Sequence, residues 1–307
     1  MRIVFFGSAP IGFPLLEILL NSSKDNVVAV VTQPDRPAGR KQQMTACPVK
    51  ALAQERGLPV LSPEKVKDSL PELTALNADL FVVVAYGQYI PPSVLAVPVQ
   101  GAINFHPSLL PKYRGSSPIQ WAVANGDTIT GITILYVSEQ MDAGDIILQR
   151  QIPIGPEDTS ATLEPVLAAA GAELLLQAVE QIRTGTVRRI PQDDAAATEV
   201  RKLTKEDGRL DWTLPAETLC NRIRGFTPWP GCFCVLPDGQ NLKVLKATAE
   251  SRNGLPGKIL EASGAGLLIA TGKGALRLLE VLPSGKRAMD GASYLRGYPL
   301  ASGSRLA

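Results

Sequence analysis

Along the first part of the chain, short apolar runs alternate with stretches of helical spacing. Residues 2–6, 27–32 and 79–85 are apolar nearly throughout, the pattern of strands buried on both faces. Residues 60–61 and 102–105 are shorter runs of the same kind, while 11–20 and 49–56 space their apolar side chains as helices do. Alternation of this kind predicts a parallel sheet covered by helices, an α/β doubly wound (Rossmann-like) domain with right-handed crossovers. Residues 132–137 and 146–154 instead alternate apolar with polar, which predicts antiparallel strands added at one sheet edge. An Ala- and Leu-rich helix is expected over 159–184.

The pattern then changes. Residues 185–208 are polar and charged with little periodicity, so a linker is placed at 189–206, between a first domain of residues 1–188 and a second of 207–307. A helix is expected over 215–225. Short β-like runs follow at 242–246, 257–261, 266–270 and 275–282, closely punctuated by Gly and Pro, and predict a small all-β (OB-like) barrel or sandwich. Residues 300–307 show no pattern and are expected to be disordered.

Composition adds limits. With 307 residues and 45% hydrophobic content the chain can build a sizeable core. No apolar run reaches the length of a membrane span, and the first strand lacks the build of a signal peptide, so a cytoplasmic protein without a membrane partner is expected. The four cysteines, Cys47, Cys220, Cys232 and Cys234, have the wrong spacing for zinc pairs and read as free thiols, with no metal. The net charge of +2 hides an asymmetry. Residues 1–204 carry 17 basic and 20 acidic side chains, net −3, and the remainder carry 14 and 9, net +5. A basic second half suits an anionic partner. The turn Gly7-Ser8-Ala9-Pro10-Ile11-Gly12 departs from the dinucleotide fingerprint, and Gln33 rather than an acid follows the second strand, so it reads as a tight strand-to-helix turn.

Candidate chemistry centres on the only histidine. Residues 101–115 begin at the carboxyl end of an expected parallel strand, the edge where doubly wound sheets bind ligands. Asn104 and His106 are two apart and so share a side of that strand. Asp142, in the turn Met141-Asp142-Ala143-Gly144-Asp145, can approach His106. Together they suit attack of an amine on a carbonyl. Asn104 and His106 would stabilise the oxyanion, and His106 with Asp142 would manage the proton lost by the amine. No covalent nucleophile is needed. On residue types alone, a structural histidine and a turn-capping Asp142 stay open beside this reading.

The run Asn104-Phe105-His106-Pro107-Ser108-Leu109-Leu110-Pro111 resembles the signature of the folate-dependent formyltransferases. The resemblance extends over nearly the whole chain. It implies catalytic roles for Asn104, His106 and Asp142. It also implies a folate site formed by Ser108, Leu109, Leu110 and Pro111 and by a segment containing Tyr86, Gly87, Gln88 and Ile90. The cosubstrate implied is 10-formyltetrahydrofolate, with no tightly bound cofactor. Three features are similar to the members that act on a tRNA. One is the run Arg114-Gly115-Ser116-Ser117-Pro118-Ile119-Gln120, which some amino-sugar enzymes share. Another is the basic loop from Gln33 to Met44, mobile by composition, in which Arg36, Arg40 and Lys41 would meet the acceptor stem; Lys41 stands where the family often has Gly. The last is the region 202–298, including Phe226-Thr227-Pro228-Trp229-Pro230-Gly231. The implied acceptor is initiator methionyl-tRNA, on a monomeric enzyme. A folate-dependent amino-sugar N-formyltransferase is the alternative. A tRNA-binding protein without catalysis would need a broken Asn-His-Asp trio, and all three residues are present.

Overall fold

The computed structural model describes residues 1–38 and 43–306, which fall into two compact units. The first comprises Met1–Gly115, Thr130–Pro153 and Glu164–Glu199; the second comprises Ser116–Ile129, Ile154–Leu163 and Val200–Ala307.

The first unit is built on a seven-stranded sheet. Its strands in chain order are β1 (Arg2–Gly7), β2 (Asn26–Val31), β3 (Val60–Leu61), β4 (Leu80–Val84), β5 (Ala102–His106), β6 (Ile129–Tyr136) and β7 (Ile146–Pro153). They lie in the order β7-β6-β5-β4-β1-β2-β3. The pairings from β3 to β5 are parallel, and β6 runs antiparallel to β5. The alternation expected over 132–137 is not found: β6 is antiparallel yet buried on both faces, as a strand flanked by β5 and β7 inside the sheet can be, and alternating burial appears only in the edge strand β7. Ile3, Val4, Phe5 and Phe6 are fully buried, because helices cover both faces of a central parallel strand. The crossover direction reverses between β1 and β4, so the carboxyl ends of these two strands form the topological switch point. The Gly7–Gly12 segment is a tight turn, closed by the Gly12 N–H donating to the Ala9 carbonyl at 3.0 Å.

Helix α1 (Gly12–Leu20) lays Leu15, Leu16 and Leu19 on the sheet. The long helix Ser160–Thr184 corrects one expectation, for by length and composition it is apolar enough to cross a membrane. Its burial is one-sided, however: Leu167, Leu175, Ala178 and Val179 are buried while Val166 is half exposed. At Gly171 an added Cβ would lie 2.2 Å from the ring of Phe105, so this helix serves as a core helix seated on β5.

Two further expectations change. The basic loop is not loose at its ends: Arg36–Ala38 pairs antiparallel with Gln43–Thr45, and Lys50 grips Asp35 at 2.8 Å. Arg40 and Lys41 lie outside the described residues. The polar stretch after the long helix is not free chain. Ile190 pairs with Ile146, and the guanidinium of Arg189 covers the Tyr136 ring at 4.0 Å.

The second unit holds a six-stranded antiparallel sheet. Its strands are β8 (Cys232–Val235), β9 (Asn241–Glu250), β10 (Ile259–Ser263), β11 (Gly266–Ala270), β12 (Ala275–Pro283) and β13 (Met289–Asp290). Irregular register near Val244–Ala247 bends β9. The core gathers Trp212, Leu219, Ile223, Phe226, Leu276 and Tyr294. Burial pushes the thiols of Cys232 and Cys234 up to about 12, because an apolar core disfavours the thiolate, and at Cys232 this outweighs the opposing pull of Arg222. Residues 300–306 are placed and partly bonded, against the expectation of disorder. Leu306 is 2% exposed and its N–H donates to the Gly257 carbonyl at 2.8 Å, so one apolar side chain and a few main-chain bonds hold a tail that composition alone leaves free.

Candidate active site

β5 presents its side chains alternately. Phe105 faces the long helix, which turns Asn104 and His106 to the opposite side of the sheet. His106 ends the strand and is 4% exposed. Its Nε2 lies 2.8 Å from the Tyr113 carbonyl; a carbonyl has no proton to give, so Nε2 is the donor. Its Nδ1 faces Asp142 Oδ2 at 3.5 Å, ion-pair range but longer than a good hydrogen bond. The Asn104 amide donates to Asp142 Oδ1 at 3.2 Å, and the Gly115 N–H donates to Asp142 Oδ2 at 2.8 Å. Asp142 therefore meets both Asn104 and His106, the residues singled out with it from sequence, although it lies 38 positions from Asn104.

Asp142 reaches this place from a cramped turn. Its φ is +52°, a left-handed conformation that Asp tolerates better than most residues. Two residues on, a Cβ at Gly144 would lie 1.8 Å from the Tyr136 carbonyl oxygen, so only glycine allows the chain to pass there.

The Ser108–Pro111 loop is fixed by β6. Thr133, opposite His106 in register, donates its hydroxyl to the Ser108 carbonyl at 2.7 Å and accepts from the Leu110 N–H at 3.1 Å. Gln149 donates to the Leu110 carbonyl at 2.8 Å. Ser108 is fully buried, its hydroxyl donating to the Lys112 carbonyl at 2.7 Å, and Leu110 is 3% exposed. Leu110-Pro111 is a cis peptide.

The second segment assigned to folate sits at the switch point, with its side chains turned mostly inward. Tyr86 is buried against Phe6, its hydroxyl has no partner among the described residues, and desolvation pushes its pKa up to about 12. Ile90 joins the same cluster. Gln88 is spent on the main chain at Val66 and Pro63. Tyr86 offers its carbonyl to Gln33 at 3.1 Å, and a Cβ at Gly87 would lie 2.4 Å from that Gln33 amide nitrogen. What this segment presents is thus chiefly main chain. Arg36, at the base of the basic loop, pairs with Glu64 at 3.2 Å, both side chains exposed.

Sequence reasoning missed Gln192. Its amide nitrogen donates to the carbonyls of Asp142 and Gly144, each at 2.8 Å. Its oxygen accepts from Arg114 Nε at 3.1 Å and Nη2 at 2.9 Å, and Arg114 also pairs with Asp194 at 2.7 Å. Thr198 accepts from the Tyr113 N–H at 2.8 Å, beside the carbonyl that holds His106. No periodicity marks these positions, so a contact 50 residues distant left no signal. Among the described residues, no group of His, Cys, Asp or Glu side chains is placed to hold a metal ion.

Comparison with known proteins places the whole chain. Residues 1–179 match the family described as formyl transferase, and residues 202–299 match the formyl transferase C-terminal domain. The methionyl-tRNA formyltransferase of Desulfotalea psychrophila is 45% identical over 301 residues, covering 97% of this chain and 93% of that protein. That of Geobacter metallireducens is 41% identical over 308 residues, covering 100% and 98%. Among solved structures, the Helicobacter canadensis N-formyltransferase in complex with folinic acid and dTDP-3-aminofucose superposes with a TM-score of 0.66 at 18% identity, covering 91% of this chain and 99% of that one. HypX from Aquifex aeolicus in complex with tetrahydrofolic acid superposes with a TM-score of 0.61 at 20% identity; this chain spans 50% of its length. Those two likenesses show a shared fold. The matched regions take in most of the chain, and with full-length relatives above 40% identity they establish that this chain belongs to the formyl transferase family.

Proposed function

We propose that this chain transfers the formyl group of 10-formyltetrahydrofolate to the free amino group of methionine on initiator methionyl-tRNA. The observation that carries the reading is the identity of 41–45% with methionyl-tRNA formyltransferases running the full length of the chain, second unit included. The Asn104–His106–Asp142 cluster supplies the chemistry.

The amine attacks the formyl carbon directly, giving a tetrahedral intermediate whose oxygen takes up negative charge. One hydrogen of the Asn104 amide is held by Asp142, and the other remains for that oxygen. The attacking nitrogen must shed a proton as the C–N bond to the folate carrier breaks. His106 and Asp142 receive it, and the carrier nitrogen is protonated as it leaves. Ser108, Leu109, Leu110 and Pro111, with the main chain of Tyr86, Gly87, Gln88 and Ile90, hold the folate. Arg36, Arg40 and Lys41 meet the acceptor stem through its phosphates, where a phosphate displaces Glu64 from Arg36 at little cost because exposed ion pairs are weak. The enzyme works as a cytoplasmic monomer without a tightly bound cofactor or a membrane.

The test is incubation with 10-formyltetrahydrofolate and charged initiator tRNA, with a nucleotide-linked amino sugar as a parallel acceptor. Formyl-methionine on the tRNA is the expected product. A formylated sugar with unmodified methionine would overturn the reading.

A further inference from the structure

We infer that Gln192 is a positioning residue that clamps the Asp142 turn in its working conformation. The inference rests on the proposed formyl transfer for its kinetic readout, and on geometry alone for its structural one.

Asp142 sits at positive φ between β6 and β7, and the same turn carries Gly144, against which no side chain fits. Such a turn needs an external hold, because the left-handed region is disfavoured for a residue with a Cβ. Gln192 provides it. One nitrogen bridges the carbonyls of Asp142 and Gly144, spanning the cramped step with two bonds of 2.8 Å. A primary amide has two hydrogens on one nitrogen, so both bonds can form at once. The other end of the amide is fixed as firmly. Two N–H groups of Arg114 converge on Oε1, which orients the amide and polarises its N–H bonds. Arg114 is itself anchored by Asp194. One residue beyond Arg114, the Gly115 N–H donates to the Asp142 carboxylate. The stretch Gln192–Asp194 therefore holds the turn by its main chain and, through Arg114, steadies the backbone that bonds Asp142 Oδ2.

Side chains of similar length fail one demand or both. Glutamate keeps the acceptor for Arg114 but sets an oxygen against two carbonyls. Methionine keeps the volume and loses every bond. Either change frees the turn, and a displacement of about 1 Å of a reacting group costs up to about 100-fold in rate.

The experiment compares the full-length parent with Gln192→Glu and Gln192→Met. Steady-state kinetics are measured with both substrates, alongside amide hydrogen exchange. On the inference, kcat falls on the order of 30- to 100-fold in both variants. KM for each substrate stays within about threefold, since the substrate-contacting groups remain in place. Exchange quickens at the Gly115 amide and across 141–145, and not at the β1 and β4 amides of the core. Variants keeping kcat within about twofold would overturn the inference. So would faster exchange throughout the sheet, which would make Gln192 a residue of the fold. If the parent transfers no formyl group, the proposed function falls separately, and exchange at Gly115 still decides the clamp.

Discussion

His106 has acceptors facing both ring nitrogens, the Tyr113 carbonyl at 2.8 Å and the Asp142 carboxylate at 3.5 Å. The shorter contact fixes the ring. The longer one leaves slack that a substrate nitrogen or a water can use. In the proposed mechanism, replacing His106 with Ala removes the proton path, and Asp142→Asn keeps the shape while removing the charge. Each is expected to lower kcat on the order of 10²- to 10⁴-fold, with KM for the tRNA little changed, as single-turnover formylation assays would show. A variant retaining most of its activity would mean the proton leaves another way. Asn104 and His106 were legible because two-residue spacing at a strand end puts side chains on one side. Asp142 was legible as a turn residue able to approach them. Gln192 was not, for its importance lies in two main-chain carbonyls, and neither the donor nor its targets form a sequence pattern.

At the scale of elements, strands buried on both faces announced themselves as unbroken apolar runs, and the observed β1, β2 and β4 lie within a residue or so of those runs. Short helices were less visible. Leu70–Ala75, Pro92–Leu95 and Pro118–Ala124 are each under two turns, too brief for a periodicity to show. Side-chain pairing across strands was also invisible in advance. Arg277 on β12 is 7% exposed and is held by Glu250 at 2.7 Å and Glu261 at 3.0 Å, acids from two other elements. The Arg277 hydrogen bond, then that of Ser263, holds the Glu261 carboxyl down at about 2 from its ordinary 4.5. A depressed carboxyl stabilises the fold above its unfolded pKa and loses that contribution as pH falls through its folded one. The second unit should therefore resist urea steadily above about pH 5 and progressively less toward pH 2. Glu261→Gln should lower the urea midpoint at neutral pH and flatten its fall in acid. An unchanged acid dependence in that variant would remove Glu261 from the account.

For the whole molecule, the two halves of the sequence differ in pattern and in charge, and that difference pointed to two folded units. The folded units are less linear than that. Ser116–Ile129 and Ile154–Leu163 lie early in the chain yet group with the second unit. The reason is local: at Gly225 an added Cβ would come within 2.6 Å of the Ala124 amide nitrogen, and Trp121 meets Phe226 edge to face at 5.5 Å. A boundary drawn along the sequence has no means of seeing such returns. The family resemblance read from Asn104 to Pro111 is matched by relatives that align from end to end, so the C-terminal unit belongs to the same functional object as the catalytic one.

The central claim is that the accepting amine is carried by an initiator tRNA. The most direct test gives the enzyme 10-formyltetrahydrofolate with charged initiator and charged elongator methionine tRNAs in one reaction, and follows formyl-methionine on each. The initiator is expected to be formylated and the elongator left almost untouched. Equal formylation of the two, or of neither, would contradict the claim.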